Sequence, residues 1–137
     1  MVYLDACLLI YLVESHPLLG APVRAALAAH PDTRFAISAL TRMECLLQPM
    51  RSGNLALQRY YEASFDSFAW LPIDDAVFDL ATQLRARHRL KTPDALHLAC
   101  AQQHGCEALW TNDDRLAAAG HGLAVNADWA GKLIAAP

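Results

Sequence analysis

Four carboxylates stand where short apolar segments give way to helix-forming ones. Asp5 follows Val2-Tyr3-Leu4, and Asp113 closely follows Ala108-Leu109-Trp110-Thr111. Glu44 lies about two turns into the helical segment after Phe35-Ala36-Ile37, and Asp94 sits in Thr92-Pro93-Asp94. Acids scattered in sequence but repeated at one structural position can converge at one edge of a parallel sheet, beyond the carboxyl ends of its strands. Carboxylates brought within ~4–6 Å raise one another's pKa and repel. A hard divalent cation removes that penalty, and oxygen-only ligands suit Mg²⁺ or Mn²⁺. Such a centre acidifies a bound water and stabilises charge on a phosphate in transfer, so phosphodiester hydrolysis is the chemistry that fits.

Each acid also has a plainer use. Asp5 and Asp113 could simply cap the helices that follow them. Asp94 in a first turn is favoured by the helix dipole in any protein, and Glu44 could be a solvated flank residue. Around them, Arg85, Arg87, Arg89 and Lys91 offer a basic rim ahead of Asp94. Cations at a helix end are also ordinary, so Arg89, Lys91 and Arg115, nearest the acids in sequence, are the better candidates for a phosphate backbone.

The elements that must position these groups alternate between strand and helix. Residues 2–4, 35–37, 70–73, 108–111 and 123–125 read as strands, with Pro72 making the third short or placing it at an edge. Helical patterns cover residues 6–14, 22–30, 39–48, 54–68, 75–88, 92–104 and 114–119, with a helical tail over 128–135. Ser38 and Thr92 are expected N-caps, Pro93 suits a first turn, Pro49 is expected to break its helix, and Gly105 to close the sixth. Ala39, Leu40, Met43, Leu46 and Leu47 are expected to face the core, as are Val77, Phe78, Ala81 and Leu84. Alternation of strands with helices favours one α/β domain over residues 1–137, a parallel sheet covered by helices on both faces.

Composition agrees. The chain has 137 residues, 55% of them hydrophobic and 18% charged, which implies a sizeable core and not disorder. The net charge of −3 argues against non-specific coating of nucleic acid, though not against an acidic pocket inside a basic rim. Cys7, Cys45, Cys100 and Cys106 form no C-x-x-C pair and are expected as reduced thiols of a cytoplasmic protein. No leader segment and no membrane span are expected: the longest early apolar run, residues 8–13, is too short for a bilayer. His97, Cys100, His104 and Cys106 match no usual zinc spacing, which leaves His97 as a buried histidine beside the site.

Four segments carry a resemblance. Tyr3-Leu4-Asp5 followed by Leu8-Leu9-Ile10-Tyr11-Leu12, Ser38-Ala39-Leu40 leading to Glu44-Cys45-Leu46-Leu47, Lys91-Thr92-Pro93-Asp94-Ala95-Leu96-His97-Leu98-Ala99, and Thr111-Asn112-Asp113 with Arg115-Leu116 resemble, in order and spacing, the motifs of PIN-domain nucleases. The third is the most specific. At this length the chain is most similar to VapC-type toxin ribonucleases of bacterial toxin–antitoxin pairs. The resemblance implies a five-stranded parallel sheet and a Mg²⁺- or Mn²⁺-dependent endoribonuclease, the toxin of a type II pair. It implies that Asp5, Asp94 and Asp113 hold metal and that Glu44 acts through a coordinated water, with Asp114 a helper or a cap. It also implies a homodimer and a VapB-like antitoxin that inserts a peptide into the active-site groove.

One position departs from the pattern. Cys7, preceded by Ala6, stands where the family usually has Ser, Thr or Asn, and a thiol is a weaker donor. Weaker metal or substrate positioning and sensitivity to oxidants are the expected consequences. The competing readings are a catalytically inactive module of the same fold that binds a protein or RNA, and a receiver-like or phosphatase domain using Asp5 as nucleophile. Retention of all four acids speaks against the first. Absence of a D-x-D motif after the first strand speaks against the second.

Overall fold

The structure is a computed structural model and describes residues 1–126. Five strands, β1 (Val2–Leu4), β2 (Phe35–Ile37), β3 (Ala69–Trp70), β4 (Ala108–Thr111) and β5 (Ala124–Asn126), form one parallel sheet in the order β3-β2-β1-β4-β5. The helices are α1 (Ala6–Val13), α2 (Gly20–Ala28), α3 (Ala39–Ser52), α4 (Leu55–Phe65), α5 (Asp75–Arg87), α6 (Thr92–Gln103) and α7 (Asp114–Ala119). The expected helical tail over 128–135 lies outside the described residues.

Strand residues alternate between two cores. Val2, Leu4, Ile37, Ala108 and Trp110 pack with α1–α4, while Tyr3, Ala36 and Leu109 pack with α5–α7. Both faces of the sheet are therefore buried, which is why its strands read as continuous apolar runs. Trp110, Leu4, Leu8, Leu9 and Leu46 are almost wholly buried on the first face, each contributing roughly 1.5–3 kcal/mol on removal from water. On the second face α6 is enclosed on all sides from Ala95 to Ala101. Small residues at 95, 99 and 101 let it approach its neighbours closely, and one polar side chain, His97, goes in with them.

β1 is central, and the chain leaves it toward β2 on one side but returns through β4 on the other. That reversal opens a crevice beyond the carboxyl ends of β1 and β4, where ligands bind in open parallel sheets.

Several local expectations shift. α3 does not break at Pro49 but runs to Ser52 and stops at Gly53, whose φ of 68° is the left-handed conformation that ends helices. Pro49 forfeits the bond to the Cys45 carbonyl, and burial of its ring offsets part of that cost. The buried face of α3 is Thr41, Cys45, Leu46 and Pro49, so Met43 and Leu47 are solvent-facing, as is Phe78 on α5. Lys91, not Thr92, is the N-cap residue of α6, which puts Thr92 and Pro93 in the first turn. The third strand is confined to the sheet edge at Ala69–Trp70, as Pro72 required.

Candidate active site

Asp5 ends β1. Its backbone N–H still extends the ladder to the Trp110 carbonyl (3.0 Å), and its extended backbone opens α1. Its side chain makes no capping bond to that helix. Instead Oδ2 accepts a 2.7 Å hydrogen bond from the hydroxyl of Thr111, the last residue of β4. Thr111 Oγ1 also accepts the Asp113 N–H at 3.1 Å, so one threonine ties the ends of the two strands together. Asp113 does cap: Oδ1 accepts the N–H groups of Arg115 (2.8 Å) and Leu116 (3.2 Å) at the start of α7. The plain reading of a capping aspartate thus holds for one oxygen of Asp113 and fails for Asp5.

Glu44 projects from the second turn of α3, which Ser38 opens with its N–H donated to Thr41 Oγ1 at 3.2 Å. Asp94 sits in the first turn of α6 behind Pro93, where a missing N–H costs nothing. Asp5, Glu44, Asp94 and Asp113 line one cavity of about 490 Å³ with Cys7, Ile10, Tyr11, Leu47 and Asn112. A second cavity of about 360 Å³ shares Asp94, Asn112 and Asp113 with it and is walled by Arg89, Lys91, Asp114 and Arg115. Arg89, Lys91 and Arg115 therefore flank the acids. Arg85 serves elsewhere, donating to the Leu90 carbonyl (3.1 Å) and bracing the loop that carries Arg89 and Lys91.

Within the acidic cavity the groups are not evenly spaced. Asp5, Glu44 and His97 offer ligand atoms all within 4.8 Å of one another, whereas Asp94 and Asp113 stand outside that tight group on the same cavity wall. His97 is fully buried, with Nε2 hydrogen-bonded to Glu44 Oε1 and 3.8 Å from Asp5 Oδ1. Burial first, then the negative charge of Asp113 and Asp5, hold the Asp94 carboxyl above the ordinary range. His97 opposes that rise and Glu44 adds to it. A divalent cation would relieve this crowding, and the mainly oxygen donor set would suit a hard one. Burial, followed by the charge of Asp5, pushes the Cys7 thiol far up, so it stays a protonated thiol beside Asp5 rather than a reactive thiolate.

Sequence reasoning passed over Thr111 and Tyr3 as strand residues. Their signal was a polar side chain inside an otherwise apolar strand. His97 was expected buried beside the site, and it is; His104 instead meets the Pro72 carbonyl at 2.8 Å, and Cys100 and Cys106 are buried in the core.

No curated protein is significantly similar in sequence. A toxin–antitoxin complex from Klebsiella pneumoniae contains a chain with 26% identity and a TM-score of 0.77, the match covering 92% of this chain and 97% of that one. FitAcB from Neisseria gonorrhoeae matches at 22% identity and TM-score 0.76 over 92% and 97% of the two chains. VapBC2 from Rickettsia felis, bound to a DNA fragment from its promoter, matches at 16% identity and TM-score 0.78 over 93% and 100%. The latter two likenesses speak to the fold alone. The PIN-domain family model matches residues 2–122, and the chain belongs to that family.

Proposed function

We propose that this PIN domain is a metal-dependent endoribonuclease, the toxin of a type II toxin–antitoxin pair. The observation that carries the reading is the single cavity at the sheet's switch point lined by Asp5, Glu44, Asp94 and Asp113, with an adjoining cavity that adds Arg89, Lys91 and Arg115 to shared acids. Asp5, Asp94 and Asp113 are the groups to hold Mg²⁺ or Mn²⁺, and Glu44 is the group to orient a water. When bound, the cation supplies an acidified water and neutralises charge developing on the phosphate. Arg89, Lys91 and Arg115 place positive charge where the RNA backbone enters, and the thiol of Cys7 donates toward Asp5 in place of a hydroxyl.

The same reading gives the chain a VapB-like antitoxin, supported by the toxin–antitoxin setting of the Klebsiella relative. Ile10, Tyr11 and Leu47 add apolar surface to the acidic cavity, a lining suited to a peptide with both apolar and basic side chains. A homodimer and a cytoplasmic setting belong to the proposal, the latter consistent with four unpaired cysteines. No described helix is long and apolar enough to cross a membrane.

The test is cleavage of a mixed RNA pool in Mn²⁺, Mg²⁺ or EDTA by the wild type and Asp5→Asn. Cutting that needs metal and is lost in the variant is expected. Cutting that survives EDTA, or persists in the variant, contradicts the assignment.

A further inference from the structure

Beneath the acidic cavity lies a chain of buried polar groups that the hydrolytic reading does not use. Tyr3, on β1, is wholly buried, and its hydroxyl lies 2.6 Å from His97 Nδ1, 2.7 Å from Ser38 Oγ and 3.4 Å from Thr41 Oγ1. Those partners come from a helix cap and two helices, so the cluster joins the three elements that carry Asp5, Glu44 and Asp94. An unpaired polar group here would cost about 1–3 kcal/mol, so the donors and acceptors must match.

With His97 as the neutral ring, they match in one way around Glu44. An ionised carboxylate only accepts, so Nε2 of His97 must carry the proton it gives to Glu44 Oε1. In the neutral ring Nδ1 is then an acceptor, and the Tyr3 hydroxyl is its donor. The Tyr3 oxygen in turn receives the Ser38 hydroxyl. His97 does not line the acidic cavity, although Asp5 and Glu44 both do. It reaches Glu44 from the core side and leaves the cavity side of the carboxylate open.

We propose that Tyr3 and His97 are positioning residues: the tyrosine fixes the tautomer of the histidine, and the histidine Nε2–H fixes the carboxylate of Glu44 toward the cavity. This rests on the nuclease reading for the role of Glu44. Histidine partners of this kind orient the carboxylate that meets metal or water, and losing them typically costs about 10–100-fold in activity or metal affinity. His97 is accordingly not itself a metal ligand, because its Nε2 is engaged with Glu44.

The experiment pairs kinetics with nitrogen NMR of the full chain. His97→Ala is expected to lower kcat about 10–100-fold with KM for RNA little changed. His97→Gln, whose amide N–H can reach Glu44, should recover much of that loss. Tyr3→Phe, which keeps the buried ring, should fall between wild type and His97→Ala. In the wild type, His97 Nε2 should carry a directly bonded proton both without metal and with Mg²⁺. In Tyr3→Phe the two neutral tautomers should become mixed. Loss of the Nε2 proton on adding Mg²⁺ would make His97 a ligand and overturn the proposal. So would unchanged kcat in His97→Ala beside an active wild type. A wild type that neither binds Mg²⁺ nor cuts RNA removes the nuclease reading itself, and the positioning role with it.

Discussion

On one side of the crevice, Asp5 and Glu44 rest against donors supplied by the core, the Thr111 hydroxyl and the His97 ring. On the other, Asp94 and Asp113 stand at the starts of helices, and the Asp94 carboxyl is held up by burial and by its acidic neighbours. The first pair is fixed in place before any ligand arrives. Of the second pair, Asp113 is held by the α7 N–H groups and Asp94 carries the unrelieved charge. A site built this way combines a rigid side that sets geometry with a strained carboxylate, Asp94, whose strain a bound cation would relieve.

The largest expected effect breaks the strained side chemically. Asp94→Asn should lower cleavage on the order of 10²-fold or more while the protein stays folded, measured by RNA turnover beside circular dichroism. The metal-free variant should melt no lower than wild type, because it loses a repelled charge, and its gain in Tm from millimolar Mn²⁺ should shrink. Wild type should gain stability by linkage, about 2.7 kcal/mol when Mn²⁺ is a hundredfold above its Kd.

Breaking the anchored side should cost stability instead. Thr111→Val keeps the shape of the strand end but takes the hydroxyl from the buried Asp5 Oδ2 and from the Asp113 N–H. A loss of about 1–3 kcal/mol is expected from urea denaturation. If Thr111→Val and Asp94→Asn changed stability alike, the contrast between the two sides would fail.

The pH dependence sharpens the same contrast. The folded Asp94 carboxyl has a pKa above its ordinary 3.8, so the folded state holds a proton the unfolded chain has lost. Its destabilising contribution is absent below 3.8, grows as pH rises through the raised value, and is complete above it. In metal-free protein, the stability difference between Asp94→Asn and wild type should therefore grow in favour of the variant from pH 3.8 upward and then level off, as read by denaturation at a series of pH values. The smallest effect belongs to the rim. Lys91→Ala or Arg115→Ala should raise KM for RNA with kcat nearly unchanged. Each should also flatten the slope of log affinity against log salt by about 0.7 for every phosphate no longer neutralised.

Much of this arrangement was legible because parallel strands buried on both faces leave plain apolar runs, and a polar residue at the end of such a run announces the functional edge. Asp5 and Asp113 were singled out that way, Asp94 by the proline that opens its helix, and the three line one cavity. The outward stripe of α3 was misread because Met43 and Leu47 repeat at helical spacing as a core face would, while the true inner face hides Thr41 and Pro49, residues with weak hydrophobic signals. Partnerships were beyond sequence reading. Nothing in the single letters says that Tyr3 meets His97 across 94 residues of chain, or that Thr111 meets Asp5 across 106. Only the register of β1 beside β4, pairing Leu4 with Trp110, brings Asp5 to Thr111.

The most direct test is the anomalous diffraction of crystals grown or soaked with millimolar Mn²⁺. The expected result is a manganese peak inside the acidic cavity, bound by Asp5 together with Asp94 or Asp113, with His97 outside the coordination shell and still on Glu44. A cavity without manganese under those conditions, or manganese held elsewhere on the chain, would contradict the account.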